Sequence, residues 1–236
     1  MTMNRSTTSG GCAFAAALLL SLSTLAAPAP AHAQDHQHMD AHHGADVDLP
    51  EGWMAHFDGG HGAHTSQDLE FVEMAPGWHI TTGPSGIFYK HDFRAEGDFT
   101  VESEIHLFDP GERRESFGIF VGGRALHGED QRYTYFLVRR TGEFMIRHRE
   151  GEELHNVMGW TEHDAVHGWN DRAEGEMSVP NVLSIQAAGD EVVFSVNGTE
   201  VHRTQRDGID VDGHYGLRVN HNLNLHISRL DLVQGS

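Results

Sequence analysis

The sequence predicts an all-β protein, a two-sheet antiparallel sandwich of the jelly-roll type. Short runs rich in β-branched and aromatic residues recur at about ten-residue spacing, with Gly, Pro, Asn or Asp between them. No segment sustains the 3.6-residue apolar period of an amphipathic helix. An Asn-Gly pair between two alternating runs adds the strongest local signal for a β-hairpin.

That hairpin lies in residues 181–233, the most regular stretch of the chain. Asn197-Gly198 separates Glu191–Val196 from Thr199–Thr204, and both turn residues must accept a positive φ. Further on, Leu223, Leu225 and Ile227 share one face, whereas Leu230 and Leu232 are out of phase with them, which predicts a bulge near Ser228-Arg229. We therefore predict that 181–233 form an antiparallel meander that closes the sandwich.

Earlier segments supply the strands that pair with this meander. Phe99–Phe108 alternates apolar residues with Glu102, Glu104 and His106, which is typical of an edge strand with one wet face. Tyr133–Val138 and Phe144–His148 flank Thr141-Gly142 and predict a second hairpin. Residues 150–180 are polar and contain glycine, so we expect a long connection there.

The amino terminus has the features of a secretory signal peptide. Arg5 precedes an apolar run from Ala13 to Ala27, and Ala31-His32-Ala33 is an A-x-A cleavage motif. We predict a signal peptide over 1–33, cleavage after Ala33, a disordered His- and Asp-rich tail over 34–50, and a sandwich domain over 51–236. The expected location is the periplasm or the exterior, and the apolar run is too short for a membrane anchor.

Charge and cysteine content exclude several classes of function. The formal net charge is −19, from 16 Lys+Arg against 35 Asp+Glu. Nucleic acids and anionic membranes need a basic footprint, so neither is expected as a partner. Cys12 is the only cysteine and lies in the predicted signal peptide, so the mature chain has no disulfide.

The order of these elements resembles the concanavalin-like, laminin-G-like jelly roll, and within it the bacterial 3-keto-disaccharide hydrolase domain. The motifs that carry the resemblance begin with Phe99–Ile105, Ser116–Phe120, the Tyr133–Val138 hairpin and Trp160-Thr-Glu. They continue with Asn181–Ile185, Val193–Val201 and Gly213–Val219. The resemblance covers about residues 51–233. It implies an exported domain with a bent sheet whose concave face holds a small or polymeric carbohydrate.

Aromatic side chains are the first candidates for such a face. A sugar packs its C–H groups on an aromatic ring, and neighbouring Arg or Asn groups bond its hydroxyls. The candidate rings are Trp78, Tyr89, Tyr133, Tyr135, Trp160 and Trp169, and the candidate polar partners are Arg124, Arg139 and Asn220. Some of these rings are expected to fill the interior instead.

Two pairs of carboxylates are weaker candidates for catalysis. Laminarinase-type relatives carry Glu-x-Asp-x-x-Glu, whose two carboxylates lie about 5.5 Å apart and act as nucleophile and acid/base. The nearest match here is Glu162-His-Asp164, which lacks the final carboxylate. Glu102 and Glu104 have the spacing of a pair on one strand face, although alternating acids are ordinary on a solvated face.

Metal binding is a further hypothesis, because the chain has 20 histidines. The tail contains His36, His38, His42 and His43, which suit Cu, Ni or Zn. Cleavage after Ala33 would expose Gln34-Asp35-His36, whose amine, amides and imidazole form a square-planar Cu(II) site. Asp207, Asp210 and Asp212 form a short acidic loop that is a candidate for Ca²⁺.

Three hypotheses on function follow from these features. The first is a non-catalytic saccharide-binding module, and the second is a periplasmic hydrolase of keto-sugars. The third is a metal-binding protein that acts through its His-rich tail.

Overall fold

A computed structural model describes residues 48–59 and 69–235 of the chain. The predicted signal peptide, most of the predicted tail and the four tail histidines at 36, 38, 42 and 43 lie outside the described residues. Within the described ranges the structure has no helix with the length and apolarity that a membrane span requires.

The described residues form fourteen β-strands and one short 3-10 turn at Trp169–Asp171. In chain order the strands are β1 (Trp53–Phe57), β2 (Glu70–Glu73), β3 (Trp78–Thr81), β4 (Gly86–Ala95), β5 (Phe99–Phe108), β6 (Ser116–Arg124), β7 (Arg132–Arg139), β8 (Glu143–Glu150), β9 (Glu153–Glu162), β10 (Ser178–Ala188), β11 (Glu191–Val196), β12 (Thr199–Gln205), β13 (Gly213–Val219) and β14 (Asn224–Gln234).

These strands form two seven-stranded sheets in which every pair of neighbours is antiparallel. The first sheet has the order β1-β4-β13-β6-β7-β8-β9, and the second has the order β12-β11-β10-β5-β14-β3-β2. The predicted all-β two-sheet sandwich is therefore confirmed, and the arrangement is consistent with a jelly roll.

One large apolar core lies between the two sheets. The first sheet contributes Phe88, Phe117, Phe136, Phe144 and Leu217, and the second contributes Phe99, Ile105, Ile185, Phe194 and Ile227, all buried. The alternation along β5 is complete, since every odd-numbered position from Phe99 to Leu107 is buried. This period of two is what places one face of each strand in the core.

Both predicted hairpins and the predicted bulge are present. Asn197 and Gly198 have φ of 51° and 78° and join β11 to β12. β7 and β8 pair around the Thr141-Gly142 turn. The pairing of β14 with β5 shifts register between Ile227 and Arg229, where the change of phase among the leucines predicted a bulge.

Three predictions about individual strands were wrong. β5 is not an edge strand, because it pairs with both β10 and β14. Residues 181–233 are not one meander, since β13 lies in the first sheet between β4 and β6. Residues 150–180 are not all connection, because they contain β9, which pairs with β8 at the edge of the first sheet. An edge strand keeps a solvated side, so its sequence is polar enough to look like a loop.

Candidate functional site

The outer face of the first sheet, which points away from the core, is apolar and aromatic. Phe88 belongs to the core, whereas its neighbours Ile87 and Tyr89 belong to a second buried cluster. Successive side chains on a strand point to opposite faces, so this second cluster lies on the outer face. We call it the outer-face cluster, and it consists of Ile87, Tyr89, Phe120, Leu126, Tyr133, Tyr135, Leu137 and Met145.

The outer face of the second sheet has the opposite character. Glu102 and Glu104 both form ion pairs with Arg229, at 2.5 and 3.4 Å. His79, His226 and His106 stand opposite one another on β3, β14 and β5. A solvated sheet face is normally polar in this way. The buried tyrosines on the first sheet therefore need an explanation other than packing against the core.

A buried arginine lies beside these tyrosines. Arg218 projects from β13 and is 8% exposed, although a charged side chain is seldom buried unless it is paired. Its Nη2 donates a hydrogen bond to Oδ2 of Asp58, just after β1. The Nε and Nη1 atoms of Arg218 are buried and have no hydrogen-bond partner in the part of the chain that the structure describes. Arg149, on β8, approaches the other oxygen of Asp58 at 3.7 Å.

Two further polar side chains border this group. The Nε2 atoms of Gln131 and His56 lie 3.3 Å apart, and Oε1 of Gln131 is buried without a hydrogen-bond partner among the described residues. Burial lowers the pKa of His56, and the positive charges of Arg149 and Arg218 act in the same direction against the effect of Asp58. His56 is therefore neutral at pH 7. We call His56, Asp58, Gln131, Arg149 and Arg218 the arginine group.

The arginine group and the outer-face cluster meet at two tyrosines. The Cζ atom of Arg218 is 5.9 Å from the ring centroid of Tyr135, and the Tyr135 and Tyr133 rings are 5.6 Å apart. Burial raises the pKa of Tyr133, and it raises the pKa of Tyr89 to about 12. The hydroxyl of Tyr89 forms a 2.9 Å hydrogen bond with Nε2 of His127. These phenols remain neutral and can donate or accept hydrogen bonds.

The structure brings five of the predicted ligand-binding residues together on this face. They are Tyr89, Tyr133 and Tyr135 of the outer-face cluster, Trp160, which packs against it, and Arg139. Arg139 lies with its Cζ atom 4.1 Å from the centroid of the Trp160 ring and forms a salt bridge with Glu143 at 2.5 Å. The tyrosines and Trp160 thus supply ring faces, and the arginine group supplies charge and hydrogen-bond donors.

The other four predicted residues lie elsewhere. Trp78 packs against Trp53 at 5.1 Å and borders the core, where it also lines a cleft with Glu73 and Arg229. Trp169 is stacked with Arg172, whose Cζ is 4.1 Å from the ring. Arg124 forms an ion pair with Asp210 at 3.7 Å. Asn220 donates a hydrogen bond to Ser116 Oγ at 2.9 Å.

The candidate catalytic carboxylates do not belong to the arginine group. Glu102 and Glu104 lie on the outer face of the second sheet, where Arg229 compensates both charges. Glu162 ends β9 and is exposed, and Asp164 is exposed in the turn that follows. No structural observation assigns a role to any of the four, and their catalytic role stays a prediction.

Two of the three carboxylates in the acidic loop predicted for Ca²⁺ contact basic side chains of the protein itself. Asp212 accepts hydrogen bonds from Arg206 at 2.6 Å and from the Gly97 amide at 2.9 Å. Asp210 lies between Arg124 and His148, at 3.7 and 3.5 Å, and Asp207 is exposed. Across residues 48–59 and 69–235, no three His, Cys, Asp or Glu side chains are grouped as a metal site would require.

Sequence reasoning did not identify the arginine group. One signal was present, because Arg218 interrupts the apolar run Gly216-Leu-Arg-Val219 at a position that the alternation places opposite the core-facing Leu217. Asp58 and Gln131 carried no comparable signal, since they stand next to glycines and charged residues of ordinary loops.

No family model and no curated protein matches this chain. Solved structures do match it in fold. A carbohydrate-binding module of Bacillus subtilis, CBM66, has a TM-score of 0.54 at 13% identity, with 78% of this chain and 96% of that one covered. A carbohydrate recognition domain of Emp46p in a metal-free form has a TM-score of 0.53 at 9% identity, with 78% and 89% covered.

A third structure is the Bacteroides ovatus mixed linkage glucan PUL GH16, which was solved in complex with a G4G4G3G product. Its TM-score is 0.54 at 8% identity, with 80% of this chain and 97% of that one covered. At identities this low the likeness concerns fold alone. The chain therefore has the sandwich fold of carbohydrate-binding and glycoside hydrolase domains.

Proposed function

We propose that this chain binds a saccharide on the outer face of the first sheet, at the junction of Tyr133 and Tyr135 with Arg218. One observation carries the proposal, namely that the outer face combines buried aromatic rings with buried polar atoms that have no hydrogen-bond partner among residues 48–59 and 69–235. A buried donor or acceptor without a partner costs free energy, so such atoms indicate a ligand that supplies the missing bonds.

The chemistry of the face suits a sugar better than an apolar ligand. Tyr133 and Tyr135 are 1% and 5% exposed and carry hydroxyls at the ring edge, so the mixed C–H and O–H surface of a pyranose would pack against the small part of these side chains that faces solvent. Gln131 Oε1 is an acceptor, and Arg218 Nε and Nη1 are donors. The names of the similar structures, a carbohydrate-binding module among them, support the same class of ligand.

A binding panel tests the proposal. Isothermal titration would use cello-, laminari-, fructo- and galacturono-oligosaccharides with the wild-type chain and with Tyr135→Leu. The substitution keeps apolar bulk but removes the ring, so affinity should fall about fivefold or more. Phe108→Leu is the matched control, because Phe108 packs edge-on against His79 on the outer face of the second sheet. Equal affinity of Tyr135→Leu and wild type, or no binding by any member of the panel, would contradict the proposal.

Hydrolysis of a saccharide is the second candidate function, and one observation favours it. The arginine group contains a carboxylate, Asp58, and a neutral imidazole, His56, on the same face as the tyrosines. An unprotonated imidazole and a carboxylate are groups that general acid–base catalysis uses. The resemblance to 3-keto-disaccharide hydrolases points to the same activity. Chromatography of 3-keto-disaccharides incubated with wild type and with His56→Gln tests it, and an unchanged rate in the variant would exclude this role.

A further inference from the structure

We propose that the ligand of this face is an acidic saccharide whose anionic group binds to Arg218. The inference rests on the proposed saccharide-binding function and names the class of sugar. Its basis is the balance of charge around Arg218, which the side chains of residues 48–59 and 69–235 leave positive.

The imbalance follows from the contacts of Asp58. Its two carboxylate oxygens face two arginines, with Oδ2 bonded to Arg218 and Oδ1 at 3.7 Å from Arg149. His56 is neutral, since burial and both arginines lower its pKa. The arginine group therefore has two positive charges and one negative charge. Burying charge is costly unless it is matched, so an added anion stabilises this arrangement.

The contacts of Arg218 determine which of its donor atoms an anion would bind. Arg218 uses Nη2 for Asp58, and the N–H groups on Nε and Nη1 are buried without an acceptor in residues 48–59 and 69–235. A carboxylate or sulfate oxygen forms charge-assisted hydrogen bonds with such donors, which are about twice as strong as neutral ones. The ring of Tyr135 has its centroid 5.9 Å from Arg218 Cζ and is 5% exposed, so the sugar that bears the anion would pack against the small exposed part of this ring.

The overall charge of −19 does not prevent this binding. Exposed charges are screened over about 8 Å at physiological ionic strength, whereas a buried arginine is screened much less. Repulsion from the distant acids therefore slows the approach of an anionic sugar at low salt, while the local contact determines whether it stays bound. For this reason the titrations should be run at physiological ionic strength.

The test compares matched sugars on the full chain. Isothermal titration would use oligogalacturonate, its fully methyl-esterified form, and a sulfated galactan oligosaccharide. We expect an acidic oligosaccharide to bind at least about tenfold more tightly than the neutral ester, the difference that a charge-assisted hydrogen bond supplies. Binding of the sulfated form alone would assign the anion to a sulfate ester, and binding of the galacturonate alone would assign it to a carboxylate.

Two variants and one control assign the effect to Arg218. Arg218→Lys keeps the charge but loses the planar fork, and should weaken acidic binding about tenfold or more. Arg218→Met combined with Asp58→Ala removes the ion pair as a unit, so that the fold is retained while the preference for the acidic sugar is lost. Arg203→Lys makes the same substitution on β12, in the second sheet, and should have no effect.

The outcomes separate this inference from the function on which it rests. If the methyl ester bound as tightly as the acid, the acidic class would be wrong and saccharide binding would stand. If no oligosaccharide of either kind bound, both would be wrong. If the acidic preference persisted in Arg218→Lys and in the double variant, another group would hold the anion and the inference would be overturned.

Discussion

Removal of the Asp58 carboxylate should destabilise the fold through Arg218. The Asp58→Ala substitution removes the carboxylate that is bonded to Arg218, whose side chain is only 10% exposed. The guanidinium of Arg218 then has solvent at its edge but no bonded countercharge. Breaking a fully buried pair by removing one partner costs about 3–5 kcal/mol. Because the Asp58 side chain is itself 28% exposed, we expect a loss somewhat below that range, about 2–3 kcal/mol.

Removal of the other partner, in Arg218→Met, should cost less stability than Asp58→Ala does. The comparison of the two variants is an internal check on the experiment. In Arg218→Met the carboxylate of Asp58 keeps Arg149 as a neighbour at 3.7 Å, so no charge is left without a partner. The double variant should recover most of the stability that Asp58→Ala alone loses, since an apolar side chain then fills the site. Coupling between the two positions is expected because they are in direct contact.

Urea unfolding monitored by tryptophan fluorescence measures these free energies, provided that the slope of the transition does not change. Glu200→Ala is the control, since it breaks a 2.7 Å pair with Arg203 in which both side chains are about half exposed, and it should leave the midpoint unchanged. If Asp58→Ala unfolded at the same urea concentration as the control, Arg218 would not depend on Asp58. The charge balance described for the arginine group would then be wrong.

Three further predictions concern the fold. Gly198→Ala should lower the free energy of unfolding by about 1 kcal/mol, because Gly198 has a φ of 78°. Gly159→Ala is the control and should not lower it, because Gly159 has no positive φ and an added Cβ would meet no atom within 4 Å; equal midpoints of the two variants in urea would contradict this. Phe136→Ala should lose about 3–5 kcal/mol, since Phe136 is fully buried in the core, and a loss below 1 kcal/mol would show that the core is not packed there. Acid should destabilise the protein through His226, whose pKa is lowered by burial and by His106 and His79. Its unfolded state takes up a proton near pH 6.5, so stability falls as the pH drops below about 7 and levels off below the folded pKa. In a melting-temperature series from pH 8 to pH 5, His226→Gln should reduce this fall; a curve identical to that of the wild type would refute the assignment.

Local signals predicted the hairpins because turn chemistry is a short-range property. Asn197-Gly198 adopts the positive φ angles that its sequence favours, and the bulge near Arg229 follows from the change in phase of the leucines. Strand order is a long-range property, and here prediction failed. The acids of β5 look like those of an edge strand, but Arg229 from β14 neutralises them in the middle of the sheet.

The candidate site was predictable in its aromatic part and not in its charged part. Tyr89, Tyr133 and Tyr135 stand out in sequence as polar-tipped rings within strands, and all three share one face. Asp58 and Arg218 are 160 residues apart in the chain, and only the pairing of β1 with β4 and of β4 with β13 brings them together. A long-range contact of this kind leaves no local pattern in a single sequence.

Hydrogen–deuterium exchange with and without saturating oligogalacturonate tests the central claim most directly. If the outer face of the first sheet binds the sugar, peptides covering β7 (132–139) and β13 (213–219) should gain protection, because they hold Tyr133, Tyr135 and Arg218. Peptides covering β5 (99–108) and β14 (224–234) should exchange at an unchanged rate. Protection confined to β5 and β14, or none in either sheet, would contradict the account.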